Sequence, residues 1–315
     1  MTMYWTSSRV LLRETVIEGE LVNLSPLRIG AGEDTPLSVG AGAAVVKVRI
    51  RDSVVPYIPG SSLKGVFRAT SEAVARQKGL DVCSGLSRST CMHTKRYTSP
   101  QGGLDLLEGI EEYGEEGRDR NTLMNFVMNE LRQGRPDAAM EAFFRNACLM
   151  CKIFGAPLYA SKVVFSDAYP IGKVSLGART GVAISRKTGA VAVGPYIVEY
   201  VEPGARFAFS VTLRNLPNYA LGLISSVVMM LRDGEVRVGG YKTRGFGRVT
   251  VENLTFRNRE FTDKPSMMRG LEEGRDRDLD VSDLVTVKDG WAVCEGDRCL
   301  ELLKRLVEVW EGAKF

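Results

Sequence analysis

Five soft, metal-binding side chains stand out in this sequence: Cys83, Cys91, His93, Cys148 and Cys151. Cys148-Leu149-Met150-Cys151 has the C-x-x-C spacing in which one short turn aims two thiolates at a single zinc ion. Cys91-Met92-His93 offers the other half of such a site and holds the only histidine in the chain. Tetrahedral zinc takes four ligands, so one of the five is a spectator. The preferred set is Cys83, Cys91, Cys148 and Cys151, with His93 as the replacement. The competing use is reduced core cysteine, a common buried residue. No general base accompanies the cluster, so a structural staple is expected rather than metal catalysis. Cys294 and Cys299 have no second pair nearby and are left out of the site.

A second kind of chemistry is anion binding. In Val55-Pro56-Tyr57-Ile58-Pro59-Gly60-Ser61-Ser62-Leu63-Lys64-Gly65-Val66-Phe67-Arg68 the prolines hold the chain extended before a helix start. Gly60 permits a turn, and Ser61 or Ser62 can cap the helix. Lys64 and Arg68 fall in its first turns, where the helix dipole disfavours cations by about 0.3–1 kcal/mol each. An anion at free backbone N–H groups beside Ser61, Ser62, Lys64 and Arg68 would reverse that cost. Solvated cations on an ordinary capped helix are the plainer use of the same residues.

Further cations sit on extended segments. Lys47, Arg49 and Arg51 share one face of Val46–Arg51, as a solvated sheet surface or a groove that tracks a nucleic-acid backbone. Ser161 and Lys162 could reach a phosphate, or simply open a strand. Arg179 to Ala192 reads as two extended arms around a basic turn with Arg186 and Lys187, hence a protruding hairpin. In Val236 to Val251 the glycines Gly239, Gly240, Gly245 and Gly247 are interleaved with Lys242, Arg244 and Arg248. A strand follows this loop, whereas dinucleotide and P-loop sites require a helix. Glycine lets the backbone approach a ligand closely, and the cations would neutralise it. No aromatic pair for stacking bases is evident on a strand, which favours contact with a nucleic-acid backbone over base recognition.

The elements that must carry these residues are legible in part. Thr15–Leu24 and Phe207–Leu213 read as strands, and the run from Ser62 to Lys78 as a helix ended by Gly79. Asn121–Leu131 and Asp137–Ala147 read as short helices packed through Val127, Leu131, Phe143 and Phe144. Asn218–Asp233 is a long apolar helix, and the chain ends in an amphipathic one with Leu302, Leu303, Leu306, Val307 and Trp310 on its apolar face. The acidic run Asp105, Glu108, Glu111, Glu112, Glu115, Glu116 and Asp119 reads as a solvated loop or helix face, away from any anionic ligand.

With 315 residues, 44% hydrophobic and 25% charged, the chain has an ordinary globular composition. Its net charge of +4 permits nucleic-acid binding without demanding it. Met1–Arg13 lacks the apolar core of a signal peptide, and no apolar run is long enough to span a bilayer. The expected location is cytoplasmic, with no membrane partner, where disulfides are uncommon.

The segment P-Y-I-P-G-S-S-L-K-G-V-F-R resembles the signature helix start of the RAMP superfamily of CRISPR-associated proteins. It is joined by Phe154-Gly155 through Ala168, by Arg179 through Ala192, and by the G-G-x-x-x-x-G-[FY]-G-R loop at Gly239–Arg248. Cys151-Lys152-Ile153-Phe154-Gly155 also resembles a C-x-x-C preceding an I-F-G segment in the family's backbone subunits. Together the resemblance spans most of Thr15–Val251. It implies an α+β fold: an RRM/ferredoxin-like βαββαβ core at 14–80 plus 160–255, with a thumb β-hairpin at about 178–203. A zinc-stapled lid would be inserted at 81–158, and a C-terminal helical extension would occupy 256–315.

The function implied is that of a guide-RNA-binding backbone subunit of a type III effector complex, Csm- or Cmr-like, in antiviral defence. Its partners would be single-stranded guide RNA, complementary target RNA, copies of itself and other effector subunits. The helix start would follow the second strand of the core and touch the guide backbone, and the thumb would wedge into the guide–target duplex. Target-cleaving members carry an aspartate in a G-x-x-D-x-P pattern before the strand at Val46. Here that position falls on Ala43 or Ala44, which binds no divalent cation. The chain is then either naturally inactive in cleavage or a nuclease subunit whose aspartate has been replaced. A zinc-containing protein scaffold without RNA binding is the remaining alternative.

Overall fold

The computed structural model describes residues 5–30, 44–86, 88–94, 122–261 and 264–315. The first strand, β1 (Arg13–Asn23), is the centre of the fold. Its near-continuous burial follows from its neighbours, because it is paired antiparallel on both sides, with β7 (Arg206–Arg214) and β8 (Val249–Glu260). Phe207, Phe209, Val211 and Leu213 of β7 point inward at every second position, as the alternation predicts.

Between β1 and β7 the chain forms β2 (Lys47–Ile50), β3 (Ser53–Pro56) and helix α1 (Gly60–Gln77). Four shorter helices follow: α2 (Cys91–Thr94), α3 (Leu123–Arg132), α4 (Pro136–Asn146) and α5 (Leu149–Phe154). Then come β4 (Val163–Phe165) and the long hairpin of β5 (Leu176–Ile184) and β6 (Val191–Val201). After β7, helix α6 (Asn218–Arg232) leads through the glycine-rich loop into β8. The C-terminal part holds β9 (Met267–Met268), β10 (Leu279–Asp280), β11 (Thr286–Lys288), β12 (Trp291–Glu295) and helix α7 (Gly296–Gly312).

The main sheet has six strands in the order β11-β12-β8-β1-β7-β4, with every neighbouring pair antiparallel. Along the chain, its four middle and edge members alternate with helices as β1-α1-β4-β7-α6-β8. The C-terminal residues extend this sheet through β11 and β12. Helix α6 is buried without a break from Asn218 to Ser225 and again at Val227, Val228 and Leu231, as its apolar sequence requires. Helix α7 lies so close to it that a Cβ on Gly222 would strike the Leu306 carbonyl. Phe67 of α1 packs on Phe165 and Phe209, with ring centroids 4.8 Å and 6.0 Å away, and so ties α1 to β4 and β7.

Several local expectations change. Helix α1 starts at Gly60 with Pro59 at its N-cap, and no serine side chain caps it. Gly60 serves close packing rather than an unusual turn, since a Cβ there would strike the Phe165 carbonyl. The strand after the first in the main sheet is β4, which follows α1; β2 and β3 form a separate two-stranded ribbon ahead of the helix. Arg51 leaves the face of Lys47 and Arg49, because it sits in the ribbon's turn with φ of 53°. Leu131, expected to pack, is 46% exposed near the end of α3, while Val127 is buried. The acidic run at 105–119 and the residues Gly40–Ala43 lie outside the described residues. No helix among the described residues is long and apolar enough to cross a membrane.

Candidate nucleic-acid interface and metal centre

Three segments distant in sequence meet along Ser25–Gly30. Leu27 bridges Val201 at the foot of the β5–β6 hairpin, and Gly30 bridges Val45 just before β2. On the other side the Gly247 N–H donates to the Pro26 carbonyl at 2.9 Å, and the Gly240 N–H to the Arg28 carbonyl at 2.8 Å. The glycine-rich loop, the hairpin foot and the ribbon are thereby held against one strip of backbone.

The loop's glycines have different tasks. Gly239 (φ 85°) and Gly247 (φ 80°) bring backbone against backbone: a Cβ would strike the Arg28 carbonyl from the first and the Val238 carbonyl from the second. Gly240 lies beside Arg28, and only Gly245 (φ 90°) faces open space. Arg237 spans the loop from inside, donating to the Lys242 and Phe246 carbonyls at 3.2 Å each. Lys242, Arg244 and Arg248 are exposed around this fixed shape. Among the described residues no carboxylate forms an ion pair with any of the three.

Aromatic rings join these cations. Arg28 and Arg244 lie 5.2 Å and 5.0 Å from the Tyr241 ring centre, and Arg179 lies 5.4 Å from that of Phe246. The Arg244 guanidinium donates to the Tyr196 hydroxyl at 3.0 Å. Arg28 and the tyrosines were absent from the sequence-derived candidates. The register of the hairpin reveals the reason: Tyr196 stands opposite Gly181 and Tyr200 opposite Gly177. A Cβ on Gly181 or Gly177 would come within 2.5 Å or 2.6 Å of the facing tyrosine ring. Two glycines four residues apart on one arm and two tyrosines four apart on the other were the available signal.

The other predicted cations divide. Arg49 is exposed on β2, and Arg186 and Lys187 are exposed in the hairpin's turn. Lys47 is paired with Glu199 at 2.7 Å, and Glu199 also accepts from the Val45 N–H, so this lysine fastens the ribbon to the hairpin. Lys162 does not reach the surface. It is 4% exposed and donates to the Ser7 carbonyl at 3.0 Å and the Ser8 hydroxyl at 2.8 Å. Burial pulls its ammonium down to about 8. The Ser161 hydroxyl bonds the Val163 carbonyl at 2.7 Å.

The start of α1 is supplied by the protein itself. The Asp167 carboxylate accepts the Gly60 N–H at 2.7 Å, the position expected for a bound anion. Ser61 is exposed and Ser62 half-buried there. Lys64 is held below the ordinary lysine range by desolvation and by Arg68. Arg68 turns inward, to Glu72 at 3.0 Å, the Gly155 carbonyl at 3.3 Å and the Cys83 sulfur at 3.9 Å. Burial opposes its charge, but Glu72 and the Cys151 and Cys83 sulfurs outweigh burial and raise its pKa.

Next to Arg68, four cysteines meet. The sulfurs of Cys83, Cys91, Cys148 and Cys151 all lie within 4.8 Å of one another, and none is in a disulfide. Cys83 comes from the loop after α1 and Cys91 from the first residue of α2. Cys148 is the N-cap of α5, and Cys151 lies one turn on. The Cys148 N–H points at the Cys91 sulfur at 3.4 Å. Cys83 is held well below the ordinary thiol range by hydrogen bonds from Cys148, Cys151 and Cys91, while Cys91 and Cys151 move upward. Cys148 is lowered to about 7, chiefly by its bond from Cys151. These four donors could hold a metal ion. His93 stands aside, its Nδ1 bonded to the Thr90 hydroxyl at 2.9 Å. Ala44, one of the two positions of the expected aspartate, is a buried methyl group, and Ala43 lies outside the described residues.

A family model of the RAMP superfamily matches residues 20–250. No curated protein matches the sequence. Among solved structures, a chain from a structure described as Type III-B Cmr-beta bound to cognate target RNA is similar at 16% identity and a TM-score of 0.43. The alignment covers 77% of this chain and 60% of that one, so the chain spans less than two thirds of its neighbour's length.

Proposed function

Because the chain belongs to the RAMP superfamily, we propose that it is an RNA-binding backbone subunit of a type III CRISPR effector complex. It binds the phosphate backbone of the guide without sequence specificity, and copies of it assemble along that RNA. In this reading β1-α1-β4-β7-α6-β8 is an RRM/ferredoxin-like core within 14–80 and 160–255, and the β5–β6 hairpin is the thumb. Residues 81–158 form the inserted lid, and 256–315 the extension. The setting is cytoplasmic.

One observation carries the reading. The glycine-rich loop, pinned by Arg237 and the Ser25–Gly30 strip, holds Lys242, Arg244 and Arg248 exposed and, among the described residues, without carboxylate partners beside the thumb foot. Fixed cations without internal counter-charges suit phosphates, and each neutralised phosphate of a single strand contributes about 0.7 to the salt slope of log K. Fluorescence anisotropy of a single-stranded guide-like RNA across a salt series tests this. The unaltered protein binds with a steep slope. A folded Lys242→Glu/Arg244→Glu/Arg248→Glu variant binds more weakly and with a shallower slope. Salt-insensitive or absent binding by the unaltered protein would overturn the reading in favour of a protein scaffold.

The four cysteines are proposed to hold structural zinc. Tetrahedral zinc–thiolate bonds of about 2.3 Å place sulfurs roughly 3.8 Å apart; the Cys83 sulfur lies 3.6 Å from that of Cys148 and 3.2 Å from that of Cys151, and all four lie within 4.8 Å of one another. Bound zinc would supply a crosslink, joining the end of α1 to α5, and the chain's own Arg68 would offset the charge of the thiolates. We assign no cleavage chemistry: a methyl group at 44 offers no ligand to a divalent cation. Metal analysis of the purified protein should give one zinc per chain, and chelation should lower the unfolding temperature; a metal-free protein of unchanged stability after chelator treatment would remove zinc from the account.

A further inference from the structure

We propose that the face of the β5–β6 hairpin carrying Tyr196 and Tyr200 is a stacking surface for unpaired RNA bases. The inference rests on the RNA-binding reading and adds base contact to it. Tyr196, Val198 and Tyr200 share one face of β6, opposite Gly181, Arg179 and Gly177 of β5. With glycine opposite each tyrosine, no side chain stands between the rings and the neighbouring strand, so each ring lies over backbone. The distances from Gly181 and Gly177 place them there. A ring seated in this way has lost little freedom still to be lost on binding, which favours a rigid aromatic as a binding surface.

Val198 between them is buried and Tyr200 meets Phe246 edge-to-face with ring centres 5.6 Å apart, but both tyrosines remain half-buried rather than enclosed, and their surroundings are cationic. Arg244 donates to the Tyr196 hydroxyl at 3.0 Å. Arg179 lies 5.9 Å from the Tyr200 ring centre. The carboxylate of this strand, Glu199, is on the opposite face and is consumed by Lys47 and the Val45 N–H. A flat ring flanked by guanidinium groups, with the acid on the other side, complements a planar base on an anionic backbone. Aromatic platforms interleaved with cations are how single strands are held without regard to sequence. An apolar protein partner would gain nothing from the flanking cations, and so RNA is the occupant chosen here.

The test compares two probes on the full-length protein: an oligouridine, and the same ribose-phosphate chain with abasic sites along its length. Loss of one stacked base costs about 5- to 150-fold in affinity, so the oligouridine should bind at least about 5-fold tighter. Tyr196→Ala and Tyr200→Ala should each shrink that ratio towards one, whatever the loss of the Arg244 contact does to abasic binding in the first, and Tyr196→Phe should preserve the ratio. A purely architectural role, with the rings merely covering glycine, would lower thermal stability without changing the ratio. Equal binding of the two probes by the unaltered protein overturns the stacking surface and leaves phosphate binding intact. Binding of neither probe overturns both. Should the alanine variants fail to fold, Tyr196→Leu and Tyr200→Leu, which keep apolar cover over the facing glycines, take their place, and a ratio unchanged in both overturns the assignment.

Discussion

The start of α1 and the loop at Gly239–Arg248 look alike as sequence: small residues interleaved with lysine and arginine, placed where an anion could sit. In the folded chain they differ in where the charge is spent. At α1, Asp167 occupies the helix end, and Arg68 is taken up by Glu72, Gly155 and Cys83. At the loop, the backbone is satisfied by Arg237 and by Ser25–Gly30, while the side-chain cations face outward. Cations that hold the fold have internal acceptors. Cations available to a ligand have rigid support and no acid. Composition and spacing do not distinguish the two; the counter-charges do.

That contrast can be broken by substitution, and the effects on stability should fall in order. Arg68→Ala should cost the most, about 2–3 kcal/mol, because it removes the nearer of the two cations on the almost buried Glu72 carboxylate and leaves only Arg76, at 3.6 Å. The value for a fully enclosed pair would be higher, but 16% of the Arg68 side chain remains accessible. Urea unfolding measures it, and a loss under about 1 kcal/mol, the range of exposed pairs, would return Arg68 to the list of free cations.

Next is Lys162, whose contribution is read through pH. Its folded pKa of about 8 lies below the unfolded value of about 10.4. The unfolded chain therefore binds more protons between these values, and stability rises with pH across that window by up to about 3 kcal/mol. Below about pH 8 the cost of burying the charge is fully present. Comparison with Lys162→Met isolates the term: the rise between about pH 8 and about pH 10 should vanish in the variant, and an identical slope in both proteins would contradict it.

Gly60→Ala should cost about 1–3 kcal/mol, since its methyl group meets the Phe165 carbonyl and α1 must shift. A thermal melt of that variant, compared with Gly65→Ala in the open middle of the helix, separates packing from helix propensity. Smallest in stability are Lys242→Glu, Arg244→Glu and Arg248→Glu, each within about 0.5 kcal/mol. Their effect belongs to binding, where the triple change should reduce the RNA salt slope by about 2.

What could be read from sequence depended on range. Helices α1, α6 and α7 and strand β7 follow from periodicity within one segment, and the four preferred cysteines needed only their number and spacing. The cap on α1 comes from Asp167, more than a hundred positions away, and nothing near Gly60 announces it. Tyr196 and Tyr200 do share one strand, four residues apart, but their seat is set by Gly181 and Gly177 across the hairpin, which β6 alone does not announce. Strands β11 and β12 are too short to signal themselves. The exposure of Leu131 reflects the end of an amphipathic helix turning past the body it packs on.

The central position of β1 has a consequence for biosynthesis. Its two partners begin at Arg206 and Val249, so the first strand made is among the last to be paired. At roughly 5–20 residues per second, about 10–40 seconds separate the emergence of β1 from that of β7. Throughout that interval Val16, Ile17, Leu21 and Val22 have no sheet to enter. Apolar residues exposed for so long should draw chaperones on the ribosome, and the yield should respond to translation speed downstream of Asn23 more than to the stability of the finished fold.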